Sequence, residues 1–182
     1  MLLALALALS ALRGSELPAA VCVVAPRVEA LSQGDARGTV PLGSPRLVVV
    51  EPLVEVRIER AGQPIWQRRA NQDETFLGPM DWPVAPIAPG EQVLIGLRPQ
   101  LAPEGSYAYV ELRGAPMERM LEATALVRSL GERATAWGLA IEEALLKEDV
   151  PLAWALLFHP EIPSDPELDA LRAEVIRRGC GD

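Results

Sequence analysis

The sequence predicts an α+β protein, a small antiparallel β-sandwich followed by a C-terminal helical hairpin that caps it. Between Arg46 and Arg113, short runs alternate apolar and polar residues, as is typical of half-buried strands. Beyond Arg113 the apolar residues recur at helical intervals instead. This change of pattern places a boundary near Gly114, with a β-sandwich domain over 21–114 and a helical region packed on it over 115–182.

The chain begins with an apolar run, Leu2–Leu12, which the residues from Arg13 to Glu16 interrupt. A membrane-spanning helix needs roughly 20 apolar residues, so a shorter run is typical of a signal peptide. We expect residues 1–20 to be that signal peptide, leaving a periplasmic or extracellular protein without a transmembrane span. An uncleaved segment that anchors the protein to a membrane and a buried leucine-rich helix are the alternatives.

Within 21–114, the segment 25–44 shows no hydrophobic periodicity and is predicted to be a loop. The expected strands are Val21–Val24, the β-branched run 46–51 that Pro52 ends, the two arms of a hairpin over Leu53–Ala70 around the turn AGQP, Glu91–Arg98, and 106–113.

A proline-rich segment, Trp82–Pro89, precedes the strand at Glu91–Arg98. Proline cannot donate to a strand ladder, so this segment is expected to cross between sheets. The motif IAPGEQV, residues 87–93, resembles the corner of fibronectin-type and other immunoglobulin-like domains, with Val93 where those domains have a tyrosine. The resemblance implies an immunoglobulin-like sandwich.

Four helices are expected in the helical region. They are Met117–Leu130, Glu132–Glu148, Pro151–Phe158, and a last helix that follows a capping box at Ser164–Glu167 and stops at Gly179.

The alanine-rich middle of this region resembles a tetratricopeptide-type helix pair. Its matching positions are Trp137, Ala140, Ile141 and Ala144 in the first helix and Ala153 and Leu157 in the second. A single pair implies a helical cap, because repeat arrays need about three units. Over residues 45–178 the chain also resembles a group of cyanobacterial exported proteins of unknown function, through VEVRIERAGQPIWQ, IAPGEQVLIGLRP and this hairpin. That resemblance implies location and architecture but no activity.

Several kinds of chemistry are excluded by composition and motifs. The net charge of −8 and the lack of a basic stripe along the chain argue against nucleic-acid binding. Nucleophile-elbow, P-loop, dinucleotide and zinc signatures are absent from the sequence, so no cofactor and no metal site are expected. The one histidine, His159, is expected to be a structural residue at a helix end.

Candidate binding residues cluster around the start of the crossing segment. Asp73 and Glu74 fall in a predicted loop with Asp81 close behind, and these carboxylates could serve a carbohydrate-active or other hydrolase. The alternative is a solvated loop. Trp82, between prolines, is the best candidate for an exposed aromatic contact, or else it plugs one end of the sandwich.

The two cysteines lie at opposite ends of the mature chain, Cys22 and Cys180. Export would permit a disulfide between them, which would stabilise by roughly 5 kcal/mol in the chain-entropy model. Free thiols and lipidation of Cys22 are the alternatives.

The sequence therefore favours an exported, non-catalytic envelope protein that binds a partner protein or a cell-surface polymer. A hydrolase that uses Asp73, Glu74 and Asp81 is the alternative function.

We predict that mass spectrometry of the protein from its host finds a mature N-terminus between Ala11 and Cys22, because the apolar run is a signal. A non-reducing peptide map of the same sample distinguishes a Cys22–Cys180 bridge from free thiols and from a lipidated Cys22. An intact Met1 in a cytoplasmic fraction would contradict export.

Overall fold

The computed structural model describes residues 21–31, 35–71 and 74–179, so the expected signal peptide at 1–20 lies outside the described residues. The fold is α+β, as predicted, with a curled mixed sheet that forms a half-barrel and with helices after it. The strands are β1 (Val23–Ala25), β2 (Glu29–Ala30), β3 (Ala36–Val40), β4 (Leu47–Arg60), β5 (Gln63–Arg69), β6 (Phe76–Met80), β7 (Gln92–Pro99) and β8 (Ala108–Gly114). The helices are α1 (Met117–Leu130), α2 (Ala134–Leu146), α3 (Val150–Leu157) and α4 (Pro166–Arg178).

The described strands form a single sheet in the order β1-β4-β7-β8-β3-β2, with β5 and β6 also paired to β4. Because β3 runs parallel to β8, the expectation of an all-antiparallel sheet is wrong, and an immunoglobulin-like sandwich is not confirmed. The difference arises in the segment expected to be a loop, which contains β2 and β3. In β3, Gly38 and Val40 are buried while Arg37 and Thr39 are exposed, and this alternation suits a strand with one face on the core.

The strand β4 continues through Pro52, so the expected strand end there is wrong. Proline has no N–H to donate, but the Pro52 carbonyl accepts the N–H of Gln100 at 2.9 Å. The ladder partners of β4 change at this point. Before Pro52 the strand pairs with β1 and β6, and beyond it mainly with β5 and β7. The register shifts around Leu53, so the proline falls where the ladder is already irregular.

The hairpin between β4 and β5 has a tighter turn than expected. Its two central residues, Ala61 and Gly62, both have positive φ, 49° and 75°, as a two-residue hairpin turn requires. The remaining residues of the expected turn, Gln63 and Pro64, belong to β5.

The proline-rich segment contains no strand and turns into β7 through Gly90, whose φ of 72° suits glycine. This corner is held against the end of β8. The N–H of Gly90 donates to the carbonyl of Gly114, and the N–H of Gly114 donates to Glu91. A Cβ on Gly114 would lie 2.1 Å from the Ala88 carbonyl oxygen, so only glycine allows this close approach.

Two hydrophobic cores lie on the two faces of β1 and β4. One core is enclosed by the curled sheet and contains Val23, Val40, Leu47, Val49, Leu53, Val56, Ile58, Ile87, Val93, Ile95, Leu97, Val110 and Leu112. The other joins the sheet to the helices and includes Val24, Ala25, Val48, Val127, Leu130, Trp137, Ile141, Leu156 and Leu157. Leu47, Val48 and Val49 of β4 are therefore buried on alternating faces, which explains why these residues do not alternate with polar ones.

The helix ends follow local chemistry, and the ends of α2 and α3 differ by one or two residues from the expected Glu132–Glu148 and Pro151–Phe158. Helix α1 has the predicted bounds. The cap of α4 is Asp165 and not Ser164, because the Asp165 carboxylate accepts the N–H groups of Glu167 and Leu168. None of the helices in the described part of the chain is long and apolar enough to cross a membrane.

We predict that Trp137→Ala lowers the free energy of unfolding by about 3–5 kcal/mol, because it empties a large buried site. Trp137 is 1% exposed, and its indole N–H donates to the Gly131 carbonyl at 2.8 Å. Urea unfolding of the full chain measures the effect. The matched control is Leu139→Ala in the same helix, where the side chain is 67% exposed and the change should be under about 1 kcal/mol. Equal losses in the two variants would contradict the assignment of Trp137 to the core.

Candidate functional site: an arginine face around Glu55

The carboxylates expected to form an acidic site are engaged separately. Asp81 is 72% exposed and pairs with Arg46, whose guanidinium nitrogens lie 2.7 and 2.8 Å from its Oδ1. Glu74 is exposed and accepts the side-chain amide of Asn71 at 3.0 Å. Asp73 lies outside the described residues. The structure thus gives Asp81 and Glu74 different partners and leaves both in contact with solvent.

Trp82 covers one end of the core enclosed by the sheet. Its ring packs against that core together with Trp66 and Met80, and its indole N–H donates to the Ala85 carbonyl at 3.0 Å. Its side chain is partly exposed, so it closes the sheet interior and presents one edge to solvent.

His159 lies at the edge of the other core, just after α3, and is partly buried. Its Nδ1 accepts the N–H of Glu161 at 3.1 Å, and its ring lies 5.4 Å from the ring of Trp137. Burial lowers the pKa of His159 below the ordinary imidazole value, although the nearby carboxylate of Glu161 opposes the change. These contacts are typical of a structural histidine.

Of the two cysteines, Cys180 lies outside the described residues. Cys22 lies near Gly179, the residue before Cys180, because its Sγ is 3.9 Å from the Gly179 carbonyl oxygen. Gly179 also approaches Val24 of β1, where a Cβ on the glycine would lie 3.4 Å from the valine methyl groups. The end of α4 is therefore packed against the start of the sheet.

A buried carboxylate, Glu55, lies at the centre of the most elaborate polar cluster in the described residues. It is 2% exposed and is the one charged side chain among them that is fully buried. Tyr107 donates its hydroxyl to Glu55 at 2.5 Å, and the side-chain amide of Gln67 donates to the same carboxylate oxygen. Arg69 and Arg98 each lie 3.3 Å from its other oxygen. Both oxygens of the carboxylate are thereby satisfied, as a buried charge requires.

The pKa values of this cluster follow from its geometry. Burial alone would raise the pKa of Glu55, but the hydrogen bonds from Tyr107 and Gln67 and the charge of Arg69 outweigh it, so the pKa lies below the ordinary carboxyl value. Burial raises the pKa of Tyr107, and the neighbouring Glu55 carboxylate raises it further. Near neutral pH the cluster therefore contains an ionised glutamate and a protonated tyrosine.

In a second part of the cluster, Arg57 lies over two aromatic rings. Its guanidinium carbon lies 4.1 Å from the centre of the Tyr107 ring and 5.4 Å from that of Tyr109. The Nη2 of Arg57 also donates a hydrogen bond to the Tyr109 hydroxyl. Gly96 lies beside Arg57 in the ladder. A Cβ there would lie 2.9 Å from the Arg57 Nε and 3.3 Å from Tyr107, so the absence of a side chain makes room for the stacked arginine.

These residues belong to one solvent-facing side of the sheet, which we call the arginine face. The ladder registers place side chains from β5, β4, β7, β8 and β3 on this side, opposite the enclosed core. Its charged residues are Arg37, Arg57, Arg69, Arg98 and Arg113 with Glu55, Glu59, Glu111 and, from the neighbouring β2, Glu29 opposite Arg37. The face has an excess of one positive charge in a chain whose net charge is −8.

The arginines of this face differ in how accessible they are to an external ligand. Arg37 pairs with Glu111 at 3.0 Å, and Arg57 lies 2.9 Å from Glu59. Arg69 is 65% exposed and Arg113 is also exposed, so their guanidinium groups can contact an external anion. Strands lie about 4.8 Å apart, so the arginines span roughly 20 Å across the five strands.

The arginine face can bind anionic groups. A guanidinium group donates two parallel hydrogen bonds to a carboxylate or a phosphate, and arginines fixed by stacking and ion pairs lose little freedom on binding. Among the described residues, no group of three or more histidine, cysteine, aspartate and glutamate side chains could hold a metal ion.

Sequence reasoning missed this face because its arginines are scattered along the chain and form no basic stripe. The strand residues Glu55, Arg57 and Glu59 looked like an ordinary polar face. One signal was available, the pair Tyr107 and Tyr109 at strand spacing in a chain with few aromatic residues.

Comparison of the chain with protein-family models, with curated proteins and with solved structures finds no match.

We predict that Glu55→Gln lowers the free energy of unfolding at neutral pH by about 1.5–3 kcal/mol, the range for hydrogen bonds to a charged group. Because the folded pKa of Glu55 is lowered, its contribution is fully present above the pKa of the unfolded chain and is lost as pH falls through the folded pKa. The difference between the natural chain and the variant should therefore shrink in acid. Urea unfolding at several pH values measures it.

Glu111→Gln provides the matched control, since this glutamate is on the same face but partly exposed and makes a surface ion pair with Arg37. Its effect should be within about 1 kcal/mol at any pH. A pH-independent difference for Glu55→Gln would contradict an ionised Glu55 in the folded protein.

Proposed function

We propose that this protein is an exported, non-catalytic binding module of the cell envelope, which holds an anionic cell-surface polymer on the arginine face. The observation that carries the proposal is the arrangement around Glu55, in which one buried carboxylate and two tyrosines fix arginines on an open face of the sheet. The Leu2–Leu12 run supports export.

A polymer fits this surface because the charges are repeated across an open sheet. Arg69 and Arg98 flank Glu55 from β5 and β7, whereas Arg113 of β8 lies opposite Gln92, at the other end of β7. The six-residue step along β7 from Gln92 to Arg98 separates these positions by roughly 20 Å. Repeating carboxylate or phosphate groups of one polymer could meet guanidinium groups at both positions. The remainder of the chain is acidic, so its long-range repulsion favours an approach with the arginine face towards the polymer.

The positions of the acidic residues support a binding role over hydrolysis. A hydrolase of the kind considered from the sequence would bring two carboxyl groups together in a shielded site. Here Asp81 is paired with Arg46 and Glu74 with Asn71, and both are exposed.

A disulfide between Cys22 and Cys180 belongs to the same proposal. The contact of Cys22 with Gly179 brings the neighbour of Cys180 to the first strand of the sheet. Such a bridge would tie the two ends of the mature chain together in an oxidising compartment. A non-reducing peptide map without the linked peptides would remove this part of the proposal.

We predict that the protein is retarded in gels containing polygalacturonate or polyphosphate, but not neutral dextran, and that Arg37→Gln/Arg69→Gln/Arg113→Gln weakens this binding about tenfold. Three lost surface charge contacts at about 0.5 kcal/mol each give that factor. Affinity electrophoresis measures the change, and the two polyanions separate carboxylate from phosphate recognition.

The matched control removes the same charge from the helices, in Arg128→Gln/Arg177→Gln/Arg178→Gln, where all three side chains are exposed. It should bind within about twofold of the natural protein, because these residues lie outside the face. Equal weakening by both triple variants, or binding to neither polyanion, would overturn the proposal.

A further inference from the structure

A groove of about 380 Å³ lies between α1 and α2 and is separate from the arginine face. From α1 it is lined by Arg119, Glu122, Ala123 and Leu126, which follow the i, i+3, i+4, i+7 spacing of one helix face. The groove thus runs for about two turns along the helix, roughly 10 Å.

The second wall shows the same spacing. From α2 and the residue that caps its C-terminus, the groove is lined by Ala140, Glu143, Ala144 and Lys147. The alanines are buried at the bottom of the groove, so the floor is apolar and shallow while the charged side chains form the rims.

One end of the groove is fixed by Asp149, which begins α3. Its carboxylate accepts the N–H of Leu152 at 3.1 Å and also pairs with Arg119 of α1. This contact joins α1 to the turn between α2 and α3 and holds the two walls in place. The groove is therefore preformed, as ligand sites commonly are.

Once the ion pairs along the rims are taken into account, one negative charge is left over. Arg119 is neutralised by Asp149, and Lys147 pairs with Glu143 at 2.6 Å. Glu122 is exposed and makes no ion pair with any described residue. The region from 117 to 178 has twelve acidic and seven basic residues, so its field also favours a cation.

We propose that this groove binds an extended peptide segment of a partner protein, with an arginine or lysine beside Glu122 and apolar side chains on the alanine floor. A helix is about 10–12 Å across with its side chains, which is too wide for a groove of this volume. An extended chain advances about 3.3 Å per residue, so about three residues match its length. The proposal does not depend on the polymer-binding function, because the two surfaces share no residue and have opposite charge.

The test uses the full mature chain and a fluorescein-labelled peptide of sequence ALRLA, with ALELA as the control peptide. Fluorescence anisotropy should show saturable binding of ALRLA and at least tenfold weaker binding of ALELA, because a glutamate would meet Glu122. Absence of saturable ALRLA binding up to about 1 mM, the limit of weak specific affinity, would overturn the proposal. Equal binding of the two peptides would do the same.

Two variants locate the site. Ala144→Leu fills the floor and should weaken ALRLA binding at least tenfold, whereas Ala125→Leu, at an exposed position of α1 away from the groove, should leave it unchanged. Glu122→Lys tests the charge without touching the core and should also weaken binding, with Glu132→Lys as its control.

Circular dichroism and urea unfolding show whether Ala144→Leu is folded, and if it is not, Glu122→Lys decides alone. Unchanged affinity in Glu122→Lys contradicts the site. Binding of polygalacturonate should be unaffected by either groove variant, so failure of one proposal is distinguishable from failure of the other.

Discussion

The strand β4 is shared by both hydrophobic cores, and this double burial is the constraint on which the rest of the structure depends. Leu47 and Val49 face the core enclosed by the sheet, while Val48 faces the helices. Beyond Pro52 the register shifts, and Val56 and Ile58 then continue the enclosed core. A single strand therefore positions the helices at one end and the polar face of the sheet at the other.

The polar face owes its geometry to Glu55 on that same strand. A charge removed from water is stable only when its partners satisfy it fully, so Glu55 requires Tyr107, Gln67 and the nearby arginines in defined places. The cost of burying the carboxylate is thus offset by a network that also orders the residues around it. Arginines on a surface are ordinarily free to move, whereas on the arginine face Arg57 is held by its contact with the Tyr107 ring and its ion pair with Glu59.

The two candidate surfaces have opposite charge and different shape. The arginine face is an open sheet with repeated cations, whereas the helices form a narrow groove with an acidic rim. Because the core around Trp137 joins the helices to the sheet, ligands on the two surfaces would be held by one rigid unit. Such an arrangement would allow the protein to connect an anionic polymer to a basic segment of another protein.

The amino-acid sequence by itself determined the features that depend on near neighbours. The bounds of α1, the alternation along Val54–Arg60 and the turn at Gly90 all follow from residues within a few positions of one another. Only the tertiary structure decided the parallel pairing of β3 with β8, the passage of β4 through Pro52 and the assembly of the arginine face. The partners in these features are up to about 75 residues apart, and a local pattern does not encode which distant strand lies beside it. For the same reason the sequence pattern places Glu55 among the exposed polar residues of its strand, because the residues that contact and bury it include Tyr107, just before β8, and Arg98 in β7.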